Sequence, residues 1–178
     1  MADDKKKEDK KMGHLVSLHY AEELNPLLVR FAEQLLDGRL VGHRGSSGQV
    51  YMPPKGYDVM TLDPTTEADE VELSDHGTVS GYTIITPVQY YGQQETKPFV
   101  YASVLLDGGS MPVGGQDIIN CEHADVRVGL RVRAVWKPQE ERSVEGLSNR
   151  GWGGLDGVII GFEPTGEPDA PEKVRGFL

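Results

Sequence analysis

Leu130-Arg131-Val132-Arg133-Ala134-Val135-Trp136-Lys137 carries the sharpest alternation in the chain. Leu130, Val132, Ala134 and Trp136 share one face, and Arg131, Arg133 and Lys137 share the other. That period of two belongs to a strand with one buried and one wetted side. Working outward, Gly157–Glu163 repeats the pattern with Val158, Ile160 and Phe162 pointing one way. Upstream, Gly77–Thr86 places Val79, Thr83 and Ile85 on one face and Tyr82 and Ile84 on the other. Phe99–Leu106 then runs into Asp107-Gly108-Gly109, a hairpin turn signal, and on to Ser110–Ile119. A short helical or irregular piece, Glu122–Val126, separates the third strand from the fourth.

Five strands, the first three a meander and an insert before the fourth, match a partly open Greek-key barrel of the OB type over residues 70–164. Two connections exceed hairpin length. Pro87–Lys97 carries Tyr90 and Tyr91, and Pro138–Asp156 carries Arg142, Arg150 and Trp152. In OB folds these two loops flank the ligand-binding face. Before the barrel, residues 14–38 hold a helix with clear punctuation. Asn25 suits its cap, Pro26 its first position and Gly38 its left-handed stop. Leu27, Leu28, Phe31, Leu35 and Leu36 form its apolar face, expected to be buried against the domain or a partner. Residues 39–69 open with two extended runs around Gly45-Ser46-Ser47-Gly48, a hairpin ended by Pro53 and Pro54. Residues 1–13 read as a disordered charged tail, and 165–178 as a flexible Pro/Glu-rich tail.

Bulk numbers narrow the function. The chain has 178 residues and a formal charge of −10, enough for one core with appendages. Its first eleven residues hold five lysines and four acids, leaving 13 basic and 24 acidic side chains, a net −11. Such a body repels phosphate backbones, which weighs against the single-stranded nucleic-acid binding that the barrel would permit. The one cysteine, Cys121, excludes an internal disulfide framework and an all-thiolate metal site, and fits a reducing cytoplasm. Neither a signal peptide nor a membrane span is expected.

Six stretches, in order, resemble an acyl-CoA-associated OB-fold family with a rubredoxin-like zinc ribbon, formerly catalogued as a domain of unknown function. They are Gly38-Arg39-Leu40-Val41-Gly42-His43-Arg44, Val50-Tyr51-Met52-Pro53-Pro54-Lys55-Gly56, Gly77-Thr78-Val79-Ser80-Gly81-Tyr82-Thr83, Pro98-Phe99-Val100-Tyr101-Ala102, Asp125-Val126-Arg127-Val128-Gly129-Leu130-Arg131-Val132 and Gly161-Phe162-Glu163-Pro164. Family ribbons bind zinc through two Cys-x-x-Cys knuckles. Here the first knuckle is Gly45-Ser46-Ser47-Gly48 and the second falls near Tyr57-Asp58-Val59-Met60, neither with a cysteine. The five histidines supply no replacement spacing, so a metal-free ribbon is expected, with Tyr51, Tyr57 and Met60 as packing.

The resemblance implies an accessory subunit for a thiolase-superfamily enzyme, a β-ketoacyl-CoA thiolase or a lipid-transfer-protein-like aldolase. The OB piece would help form the CoA or acyl channel while the catalytic residue sits on the partner. A related variant pairs with a hotdog-fold enoyl-CoA hydratase. No catalytic set emerges from the residues themselves. Gly45-Ser46-Ser47-Gly48 lacks the spacing of a nucleophile elbow, and Gly151-Trp152-Gly153-Gly154 lies between two strands where a dinucleotide loop must open a helix. Cys121 reads as a space filler. Phe31, Leu35, Tyr51, Tyr90, Tyr91 and Trp152 are the candidates for a partner interface. Lys55, Arg142 and Arg150 are candidates for coenzyme A phosphates, or else solvated charges. No cofactor is expected on the chain alone; a coenzyme A thioester would be shared with the enzyme.

Overall fold

The computed structural model describes residues 26–86, 97–144 and 155–171. Helix α1 (Pro26–Leu36) begins at its proline and stops before Gly38, which sits at φ +80°, a conformation glycine adopts without Cβ strain. Gly38 N–H donates to Leu35 O at 3.0 Å and Arg39 N–H to Gln34 O at 2.9 Å, closing the last turn. The Asn25 cap lies outside the described residues.

β1 (Leu40–Arg44) pairs antiparallel with β2 (Val50–Tyr51), the expected hairpin, and with β3 (Glu70–Leu73) on its other side. The third strand comes from residues assigned above to the barrel. They extend the ribbon sheet instead, in the order β2-β1-β3. Alternation over four residues cannot say which of two neighbouring sheets receives a strand.

β4 (His76–Ile85), β5 (Phe99–Leu106), β6 (Val113–Ile118), β7 (Arg131–Trp136) and β8 (Ile159–Pro164) close a barrel in the order β4-β5-β6-β8-β7. All its pairs are antiparallel except β6 with β8, which meet in parallel at Ile118 and Phe162. This is the order of a Greek-key OB barrel, as the strand pattern predicts. A 3₁₀ turn, His123–Asp125, fills the insert before β7.

Bulges set which faces the side chains occupy. In β4 the register shifts between Val79 and Gly81: Val79 opposes Val104, yet Tyr82 opposes Ala102 and Ile84 opposes Val100. Directly opposed residues share a face. Tyr82 and Ile84 therefore lie on Val79's side, not opposite it as plain alternation predicts, because one extra residue flips all that follow. They sit past the sealed core, 42% and 45% exposed. A second shift separates Val135 from Trp136, which face Gly161 and Ile159. The extra residue, Ile160, is 51% exposed and does not join Phe162 inside. β7 behaves as its sequence reads: Leu130, Val132 and Ala134 are buried, and Arg133 is exposed.

One connected cluster runs from Phe31, Leu35 and Leu40 through Val50 and Leu73 to Val79, Val104, Val132 and Phe162. Each fully buried aliphatic or aromatic side chain in it contributes about 1.5–3 kcal/mol. Ribbon and barrel are also stitched by Val50, whose N–H donates to Ser110 Oγ and whose carbonyl accepts Ser110 N–H, both at 2.9 Å.

Candidate functional site

At the first knuckle position the chain turns at 45–48, and Gly48 N–H donates to Gly45 O at 2.9 Å. The second knuckle position holds a closed turn: Asp58 N–H donates to Asp63 O and Leu62 N–H to Asp58 O, both at 2.8 Å. Between the two turns lies one carboxylate. Asp58 is fully buried, and its Oδ2 accepts Ser47 N–H (2.7 Å) and Ser47 Oγ–H. Its Oδ1 accepts the amides of Met60 (2.7 Å) and Thr61 (3.3 Å) and lies 3.5 Å from the Tyr51 hydroxyl. The Ser47 hydroxyl, then the surrounding backbone amides, hold its pKa down at about 2. Gly45 leaves the space this needs, since a Cβ there would fall 2.0 Å from Asp58 Oδ2. Beside it Ser46 Oγ–H donates to Asp63, as does Thr61 Oγ–H at 2.9 Å.

The filler expected for the ribbon divides. Tyr51 is 4% exposed and packs inside, whereas Tyr57 (45%) and Met60 (74%) point outward. Val59 and Leu62 on the same turn are 43% and 73% exposed. A carboxylate holds what apolar packing was expected to hold, which leaves those side chains free.

The predicted interface residues also divide. Phe31, Leu35 and Tyr51 are 5%, 0% and 4% exposed and belong to the chain's own interior, so none offers area to a partner. Helical spacing marks a buried face without saying what buries it. Tyr90, Tyr91, Arg150 and Trp152 lie outside the described residues. Lys55 is exposed.

Arg142 has a structural task. Its Nη1 donates to Leu36 O and its Nε to Lys137 O, each at 3.0 Å, and its guanidinium carbon lies 5.1 Å from the Trp136 ring centroid. It clamps the carbonyl end of α1, where positive charge is favoured, to the end of β7. A phosphate-binding role gives way to this one. Arg142→Ala is expected to cost about 1–3 kcal/mol in urea unfolding, and Arg142→Lys to restore only part, lacking the planar fork.

Other cations are likewise engaged. Arg30 pairs with Glu70, Arg39 with Glu72, Arg127 with Asp169, Arg131 with Asp107 and Glu167, and Arg133 with Glu163. Arg44 donates to Gly48 O at 3.2 Å. Every arginine among the described residues thus has an internal acceptor.

Among the described residues, no group of three or more His, Cys, Asp or Glu is placed to hold a metal ion. His76 Nδ1 lies 2.9 Å from Asp75 Oδ1, but Ser74 Oγ accepts the His76 amide at 3.0 Å, a turn contact and not a nucleophile–base pair. Cys121 is half-buried, and burial, then Asp125 and Glu122, push its thiol pKa up, away from thiolate chemistry. No described helix is long and apolar enough to cross a membrane.

Comparison with known proteins agrees with the barrel. Residues 70–137 match the family described as ChsH2, C-terminal OB-fold domain. A "DUF35 domain-containing scaffold protein" of Methanocaldococcus jannaschii is 29% identical over 89 residues, 49% of this chain and 60% of that relative's length. Among solved structures, the "Ltp2-ChsH2(DUF35) aldolase" matches with TM-score 0.53 and 18% identity, over 81% of this chain and 98% of that one. A DUF35-family protein of unknown function from Sulfolobus solfataricus matches with TM-score 0.50 and 20% identity, over 61% and 77%. At such identities the solved structures speak to fold alone. Residues 70–137 thus resemble the OB-fold domain of that family, in agreement with the closed five-stranded barrel.

Proposed function

We propose that this chain is a non-catalytic accessory subunit of a thiolase-superfamily acyl-CoA enzyme, stabilising it and helping to form its CoA or acyl channel. The observation that carries this reading is the fold match across 98% of a chain described within an aldolase, Ltp2-ChsH2. The scaffold description of the archaeal relative supports it. So does the chemistry: the Cys121 thiol is pushed away from thiolate, the His43 imidazole that meets the Thr65 hydroxyl at 3.3 Å is only 2% exposed, and a hydrogen-bonded turn displays apolar side chains to solvent. Within this reading Lys55 and Arg150 contact coenzyme A phosphates, and Tyr90, Tyr91 and Trp152 anchor the enzyme. Nucleic-acid binding is disfavoured further, since the described arginines neutralise the chain's own carboxylates or cap carbonyls.

The test is co-expression with a thiolase-superfamily subunit from the same organism, followed by size-exclusion chromatography and a thioester assay. A stable heteromer is expected, with turnover present in the complex and absent from this chain alone. Turnover of a ketoacyl-CoA by the isolated chain overturns the reading.

A further inference from the structure

We infer that the turn Tyr57–Leu62 is the knob by which this subunit plugs into its enzyme, entering an apolar socket whose rim is basic. The inference rests on the accessory-subunit reading and adds the surface.

Two independent features meet at this turn. Within six residues, Tyr57, Val59, Met60 and Leu62 leave 45%, 43%, 74% and 73% of their surface to solvent. Scattered single exposures are ordinary, but four on one short turn form a concentrated apolar tip. The same turn is fixed from beneath by the buried Asp58 carboxylate and at its base by Thr65 N–H donating to Gly56 O at 3.0 Å. Leu62 is held at φ +65°, a backbone region costly for a side chain of its kind. Polar groups inside thus order an element whose outside is apolar. An interface side chain already on an ordered backbone loses less entropy on docking.

Charge selects the occupant. From Lys55 to Glu70 the sequence has five carboxylates and one ammonium; Asp58 is buried and Glu70 pairs with Arg30, while Glu67, 71% exposed, lies 3.7 Å from that same guanidinium. A second copy would bring −10 against −10, and an anionic lipid surface would be repelled in the same way. A different protein, apolar at the centre of its socket and basic around it, fits both the tip and its surroundings.

The experiment measures binding of the purified enzyme subunit from the co-expressed heteromer to wild type, Met60→Asp/Leu62→Asp and Glu67→Lys. Circular dichroism checks each fold; because the altered side chains are exposed, all should fold, and Val59→Asp serves if the double variant does not. The double variant is expected to lose at least about tenfold in affinity, and Glu67→Lys to associate more slowly, the difference shrinking in high salt. If wild type binds and the double variant binds within about threefold of it, the knob is overturned while the accessory reading stands. If wild type does not bind at all, the accessory reading falls and takes the knob with it. Tip-dependent retention on phosphatidylcholine/phosphatidylserine vesicles, or a tip-dependent homodimer, overturns the enzyme as occupant.

Discussion

Asp58→Asn will unfasten the two turns of the ribbon while the barrel stays folded. Both carboxylate oxygens of Asp58 accept backbone N–H groups, Oδ2 from Ser47 and Oδ1 from Met60 and Thr61. An asparagine must aim its NH₂ at one of those donors whichever way it flips, leaving a donor facing a donor without water. Amide hydrogen exchange at residues 45–49 and 58–63 should speed up by at least about tenfold, with the β4–β7 amides little changed. Wild type will show a matching acid response. The Asp58 pKa is about 2 in the fold against an ordinary 3.8, so between those values the unfolded chain binds more protons. The stabilisation is complete above about pH 4–5 and is lost as pH falls towards 2. Asp58→Asn should lack that step. His43, 2% exposed and with its Nδ1 3.3 Å from Thr65 Oγ1, has its pKa lowered from 6.5 by burial. Its sign is the same: stability begins to fall once pH drops below 6.5, because the unfolded imidazole takes the proton first.

Phe162→Ala will cost about 3–5 kcal/mol in urea unfolding, a large part of a typical domain's total. Phe162 is fully buried in β8, where it opposes Ala134 of β7 and pairs in parallel with Ile118 of β6. Its carbonyl accepts Ile119 N–H at 2.8 Å. The ring fills the interior at the point where three strands meet, and neighbours held by closed pairing cannot relax into the space. Ile160→Ala, two residues away and 51% exposed, should change stability by less than about 0.5 kcal/mol. Strand alternation alone would predict equal losses at the two positions, so the pair tests the bulge directly.

The barrel was legible because its strands are long enough for period two to be read and its turns carry glycine. Leu130–Trp136 shows this best: three of its four even-numbered side chains are buried, and Trp136 is half-buried. Bulges were not legible. Nothing in Val79-Ser80-Gly81 announces that Ser80 is supernumerary, since its hydroxyl finds Ser103 O (3.1 Å) only through the tertiary fold. The Asp58 hub was hidden for the same reason: an aspartate in a polar loop looks solvated until the partners eleven residues upstream arrive. Residue types marked the helix face correctly, yet Phe31 and Leu35 turned inward to the chain's own sheet. Apolar spacing reports burial and is silent on the owner of the covering surface. The exposed apolar turn at Tyr57–Leu62 carries no periodic signal at all, and only the fold brings it to light.

The single parallel pairing, β6 with β8, governs the order in which the barrel is completed. β6 ends at Ile118, and its partner begins at Ile159, after the whole of β7 and the loop beyond it. While the chain emerges from the ribosome, β4, β5 and β6 can meander together early, but β6 and β7 keep open hydrogen-bonding borders until the last strand is made. Such distant closure slows folding and prolongs exposure to other nascent chains. A barrel that receives its last strand so late leaves both of those borders uncovered until β8 docks between β6 and β7.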